Sequence, residues 1–181
     1  MRGLRPQRKR IFIAIEGDDG DAFVAFLQKK IDELEIPIYL DRCALPGGGY
    51  QNMLGIASRE RQKRVAKRGS HKAGAFLIVD SDRAQRREDW SLEQLNREAK
   101  RFNVICMRPS FEAVLLYMLS GHEPSNLSEA EVKHKLQQHW PGYKKPITEA
   151  RIFGSKFGID HVRLLANYPD WLNLLQAMKL I

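Results

Sequence analysis

Three carboxylates in this chain stand where a reaction could use them. Glu16, followed by Gly17, closes the apolar run Ile11-Phe12-Ile13-Ala14-Ile15, and Asp80-Ser81-Asp82 closes the run Ala75-Phe76-Leu77-Ile78-Val79. Both runs are short, continuous and rich in β-branched or aromatic residues, the pattern of strands buried in a parallel sheet. Parallel strands bring their carboxyl ends to one edge, so Glu16, Asp80 and Asp82 are expected to meet there. Three anions at one point repel unless a cation neutralises them. Hard oxygen ligands without His or Cys suit Mg²⁺ or Mn²⁺ far better than zinc. Gly17 would let the turn pass close to such an ion and a phosphate bound to it. Aspartates commonly open loops, so Asp-x-Asp alone is a weak signal. Its combination with Glu-Gly after an earlier strand is much more specific.

The surrounding pattern supplies elements to position these groups. Apolar residues at Phe23, Phe26, Leu27, Ile31 and Leu34 recur at helical spacing, with Asp21 as the expected N-cap. A second strand is predicted over Pro37 to Leu40, followed by the loop Pro46-Gly47-Gly48-Gly49 and a helix from about Gln51 to Arg68. Ser91 caps a predicted helix through Arg101, and Val104 to Met107 is a fourth strand, stopped by Pro109. Further helices are predicted over Phe111 to Leu119, Leu127 to Trp140 and about Asp160 to Met178. Alternating strands and helices imply an α/β fold, with a four-stranded, mainly parallel sheet, helices on both faces and a helical C-terminal extension. The predicted organisation is a basic tail over 1–10, a core over 11–125, and a helical extension over 126–181 in the same compact domain.

Composition narrows the function classes. The 181 residues carry 30 Lys+Arg against 22 Asp+Glu, a net charge of +8. The excess is concentrated in two places, Met1 to Arg10, with five basic residues and no acid, and Arg59 to Lys72, with seven against Glu60. These runs are a frayed tail and a solvated helix face, or a surface that contacts phosphates through Arg59, Arg61, Arg64, Lys67, Arg68 and Lys72. Cys43 and Cys106 are the only cysteines, too few for a disulfide framework or a four-cysteine zinc site, and both are expected reduced. No apolar run approaches the roughly 20 residues of a membrane span. The first apolar run is too short for a secretory signal, so a cytoplasmic location is expected. The Gly-rich loop lacks the Lys-Ser/Thr of a P-loop, so no nucleotide-triphosphatase activity is expected.

Glu16-Gly17 with Asp80-Ser81-Asp82 resembles the signature of the Toprim family, which includes topoisomerases, primases, recombination-repair proteins and small nucleases. Ile13 to Phe23, the segment Arg108-Pro109-Ser110-Phe111-Glu112 ahead of a Leu-rich helix, and Tyr143-Lys144-Lys145 are similar to motifs of RloB-like Toprim proteins. The chain departs from that pattern at Asp21, Arg108 and Tyr117. The resemblance implies a compact parallel α/β unit and a metal-dependent nuclease acting on DNA or RNA, tRNA included. It further implies the effector role in an anti-phage system gated by a partner ATPase. The alternatives are a standalone ribonuclease that matures structured RNA and a non-catalytic nucleic-acid-binding module.

On this reading Asp80 and Asp82 hold Mg²⁺ or Mn²⁺, and Glu16 is a general base or acid that shares the metal. Asp21 is an N-cap or a carboxylate supporting the ligands from behind. Glu112 compensates a helix dipole or, by the resemblance, serves the metal site. Lys144 and Lys145 are a solvated loop or neutralise the scissile phosphate. The histidines, among them His71 beside the basic run, are assigned surface or structural places. Trp171, Leu172, Leu174, Leu175, Met178 and Leu180 offer more apolar surface than one terminal helix needs, so they are expected to dock a partner or a second copy.

Overall fold

The computed structural model describes residues 8–81, 90–124 and 126–181. Asp82 and residues 1–7 therefore lie outside the described residues. Four strands form one sheet: β1 (Lys9–Glu16), β2 (Ile38–Leu45), β3 (Ala75–Asp80) and β4 (Asn103–Met107). Their order is β2-β1-β3-β4, and every neighbouring pair is parallel. Helices α1 (Gly17–Glu33), α2 (Tyr50–Arg68), α3 (Leu92–Glu98) and α4 (Phe111–Ser120) provide the crossovers and the cover beyond β4. The α/β parallel architecture expected from the strand pattern is thus present.

Alternation along β1 divides the core in two. Ile11, Ile13 and Ile15 face a large cluster built with α1 and α4, whereas Phe12 and Ala14 face a smaller one built with α2 and α3. The larger cluster also takes in the C-terminal elements α5 (Glu129–His139), α6 (Ala150–Lys156), α7 (Ile159–Leu164) and α8 (Leu172–Ala177). Phe23 of α1 sits at its centre, with ring centroids of Phe111 and Phe153 each 5.5 Å away. Among the described residues, no helix is long and apolar enough to cross a membrane.

Several expectations are corrected. The long helix predicted from Asp160 is broken into α7, a 3-10 turn at Leu165–Asn167 and α8. Trp171, Leu174, Leu175 and Met178 are fully buried and Leu180 nearly so; of the expected docking residues only Leu172 is exposed. That apolar segment is therefore core, consumed by packing on α1 and α4. Asp21 does not cap α1. The helix begins at Gly17, with Glu16 in the N-cap position, because Gly17 adopts φ +79° and turns the chain directly from strand to helix. Gly20 brings α1 close to β1: a Cβ there would lie 2.6 Å from Ile15 Cγ1.

The basic tail is shorter than expected, since Lys9 and Arg10 belong to β1. Arg10 is a half-buried cation. It donates to the Gly69 carbonyl at 2.9 Å and forms a close ion pair with Asp41, which is 4% exposed. Asp41 also meets His71 Nε2 at 3.0 Å and Arg64 Nε at 3.4 Å. Burial disfavours the Asp41 anion, but His71, Arg10 and Arg64 outweigh it and hold the carboxyl below its ordinary range. Removing a partner from a buried ion network strands the others, so Asp41→Asn should cost about 3 kcal/mol in urea unfolding.

Burial pushes the His71 pKa below its ordinary 6.5, against the opposing pull of Asp41. The unfolded chain then binds the imidazole proton first as pH falls below 6.5, and stability drops. Melting temperature should fall between pH 7.5 and pH 5, with a shallower slope for His71→Asn; an unchanged slope would remove His71 from the cause.

Candidate active site

The carboxyl edge of the sheet gathers the groups that could do chemistry. Glu16 ends β1 and Asp80 ends the adjacent β3, and a Glu16 carboxylate oxygen accepts the Asp80 backbone N–H at 3.3 Å. The Tyr50 hydroxyl, at the first residue of α2, donates to the Asp80 carbonyl at 2.8 Å. The Ser81 hydroxyl donates to the Pro109 carbonyl at 3.3 Å, which draws the β4–α4 connection toward the end of β3.

That connection delivers Glu112, at the second position of α4. Glu112 is 0% exposed, accepts from the Ser110 hydroxyl at 3.0 Å, and meets Lys145 Nζ at 2.8 Å. Lys145 lies 3.6 Å from a second carboxylate, Asp19, in the first turn of α1. The other Asp19 oxygen accepts the Ile147 backbone N–H, which fastens the 140–149 loop across the start of α1. Tyr143 is buried in the same loop, and its hydroxyl has no hydrogen-bond partner among the described residues.

The electrostatics are coherent. Burial alone would lower the Lys145 pKa. The hydrogen bond to Glu112 and the charges of Glu112, Asp19 and Asp80 more than offset it, so Lys145 stays a cation. Burial raises the Asp19 pKa, opposed by the Ile147 N–H and Lys145. Burial and then Glu112, Asp19 and Asp80 push the Tyr143 hydroxyl well above its ordinary value. Asp80 is thus within electrostatic reach of the Lys145 cluster.

Of the expected site residues, Glu16 and Asp80 come together at this edge, with the Glu112–Lys145 pair beside them. Asp82 lies outside the described residues. Asp21 points elsewhere, pairing with Arg42 at 3.0 Å on the β2 side. Lys144 is exposed and does not join the Glu112–Lys145–Asp19 cluster among the described residues. Asp19 and Tyr143 were not singled out as site residues from the sequence. First-turn placement of Asp19 was a weak signal, and its partners lie more than 120 residues away, invisible to local pattern.

Glu16 and Asp80 offer the hard oxygen donors that Mg²⁺ or Mn²⁺ takes. Among the described residues, no three His, Cys, Asp or Glu are gathered closely enough to hold a metal ion. The donor chemistry fits, while the described donor set is incomplete.

The basic run does not present one uniform surface. Arg61 lies over the Phe102 ring at 5.5 Å and donates to the Arg101 carbonyl at 3.2 Å. Arg64 lies over Phe12 at 5.4 Å and reaches Asp41. Arg59, Lys67, Arg68 and Lys72 are the exposed members of the expected set. Comparison with protein-family models, characterised proteins and solved structures finds no match for this chain.

The Glu112–Lys145 pair gives a direct test of this geometry. Lys145→Met should cost about 3 kcal/mol by leaving the Glu112 charge buried without its cation. Glu112→Gln combined with Lys145→Met should recover most of that loss in a double-mutant cycle. Additive losses would show that the pair is not coupled.

Proposed function

We propose that this chain is a metal-dependent nuclease that cleaves phosphodiester bonds at the carboxyl edge of its sheet. The observation that carries the reading is the meeting of Glu16 and Asp80 on adjacent parallel strands, next to a cation held by buried carboxylates. Glu16 and Asp80, with Asp82, would hold Mg²⁺ or Mn²⁺. Such an ion supplies Lewis-acid polarisation of the phosphate and lowers the pKa of bound water. Glu16 is placed at the edge to take or return a proton. Lys145 has three N–H donors; its ammonium meets Glu112 at 2.8 Å and lies 3.6 Å from Asp19, and its side chain is 45% exposed, which leaves a donor for a ligand. The remaining donor can bind a non-bridging phosphate oxygen as its charge grows. Glu112 acts through Lys145 as a positioning residue.

The exposed basic residues of α2 support a nucleic-acid substrate. They lie from the middle of the helix to its end remote from Tyr50, so a strand bound by them and reaching the site would run along α2. The resemblance to RloB-like proteins supports a cytoplasmic anti-phage role with an ATPase partner. That partner would have to use a surface other than the buried C-terminal segment.

A second reading is a nucleic-acid-binding module without catalysis, favoured by the incomplete donor set among the described residues. Purified chain incubated with Mg²⁺ or Mn²⁺ and DNA, tRNA or bulk RNA, with and without an ATPase encoded beside it, separates the two. Cleavage should require the ion and fall at least 100-fold in Asp80→Ala and Glu16→Gln. Metal-free melting of Asp80→Ala should be unchanged or higher, because a repelling charge is removed. Binding that weakens steeply with salt, without cleavage of any substrate, would assign the module reading.

A further inference from the structure

The amino edge of the sheet, remote from Glu16 and Asp80, carries a cleft of about 780 Å³ between the second half of α2 and the segments that enter β3 and β4. It is separated from the carboxyl edge by the length of β3, roughly 20 Å at about 3.3 Å per residue. Its volume lies within the range typical of small-molecule sites.

The lining has a definite chemistry. Arg61 and Arg101 supply two guanidinium groups, His71 lines the cleft, and Val65, Ala66 and Phe102 form an apolar wall. No described lining residue is acidic. The Asp41 carboxylate, behind His71, is already engaged by Arg10, Arg64 and His71. Arg61 is half-buried, and its Nε is buried without a hydrogen-bond partner among the described residues. Burial, and then the charge of Arg101, disfavours the Arg61 cation. Two like charges held beside a half-open cleft without a described lining anion form a site that an anion would complete. Val65, on the apolar wall, is 37% exposed and so open to a ligand.

We infer that this cleft binds a nucleoside phosphate group, its phosphate on Arg61 and Arg101 and its base against Val65, Ala66 and Phe102. Arginine is suited to both halves, because its planar fork pairs bidentately with phosphate and stacks on aromatic rings. The ligand is either a free mononucleotide or the phosphorylated terminal nucleotide of a strand. The inference stands apart from cleavage, since the site lies at the opposite edge and its readout is binding.

Isothermal titration of the full chain with AMP, a 5′-phosphorylated dinucleotide, adenosine and inorganic phosphate tests it. AMP should bind at least tenfold tighter than adenosine or inorganic phosphate, and Arg101→Ala should weaken it at least tenfold. Val65→Glu, which places a carboxylate at an exposed wall position, should abolish binding without unfolding the chain. A dinucleotide tenfold tighter than AMP would support the strand-end form, and equal or weaker binding would support the free nucleotide. The inference is overturned if neither AMP nor the dinucleotide binds at millimolar concentration, if inorganic phosphate binds as tightly as AMP, or if neither variant changes binding.

Discussion

A carboxylate withdrawn from water costs several kcal/mol unless a cation meets it, and Glu112 is withdrawn completely. Lys145 meets that demand, and much of the molecule follows from bringing the two together. Lys145 comes from a loop that arrives more than 30 residues after Glu112, so the chain must return across the top of α1 to deliver it. The Ile147 N–H on Asp19 fixes that return. Burial of Tyr143, Ile147, Phe153 and Phe157 in the cluster that holds Phe23 and Phe26 supplies the apolar free energy that keeps the loop in place. The helical segments after β4 are thus a structural requirement of the carboxyl edge. Without them Glu112 would have no cation and α4 could not carry it at that depth.

The molecule is electrically polar along its strands. Carboxylates gather where β1 and β3 end, while Arg10, Arg61, Arg64 and His71 gather where β1, β3 and β4 begin. Helix α2 joins the two ends. Its first residue, Tyr50, is anchored on the Asp80 carbonyl, and just beyond its last turn the Gly69 carbonyl accepts from Arg10. Placing the basic groups at the far end lets most of them find counter-charges locally, Asp41 for Arg10 and Arg64 there and Lys145 for Glu112 and Asp19 at the other end.

Elements governed by local pattern were legible in the sequence. The runs ending at Glu16 and Asp80, the Ser91 cap and the apolar helix at Phe111 each follow from period, β-branching or capping chemistry. Features set by distant partners were not. Asp21 has the right chemistry for an N-cap, but Gly17 can turn the chain four residues earlier, and no propensity decides between them. The arginines of α2 read as one solvated face because the aromatic rings that receive two of them, Phe12 and Phe102, lie in other elements. Trp171 and its neighbours read as surplus apolar surface because their burial depends on α1 and α4, which local sequence cannot assign to them.

The junction at Glu16–Gly17 makes the spacing of the site a matter of chain length as much as residue identity. Glu16 is at once the last residue of β1 and the cap position of α1, with no spacer between strand and helix. One residue inserted between Glu16 and Asp19 would turn Asp19 by about 100° around the axis of α1. Lys145 and the Ile147 N–H would then face a different side chain. Lineages of this fold that keep the site should therefore accept residue exchanges at Asp18 far more readily than a change of length there. Insertions should accumulate instead in connections at the amino edge, such as Leu34–Pro37 between α1 and β2, whose length fixes no contact at the carboxyl edge.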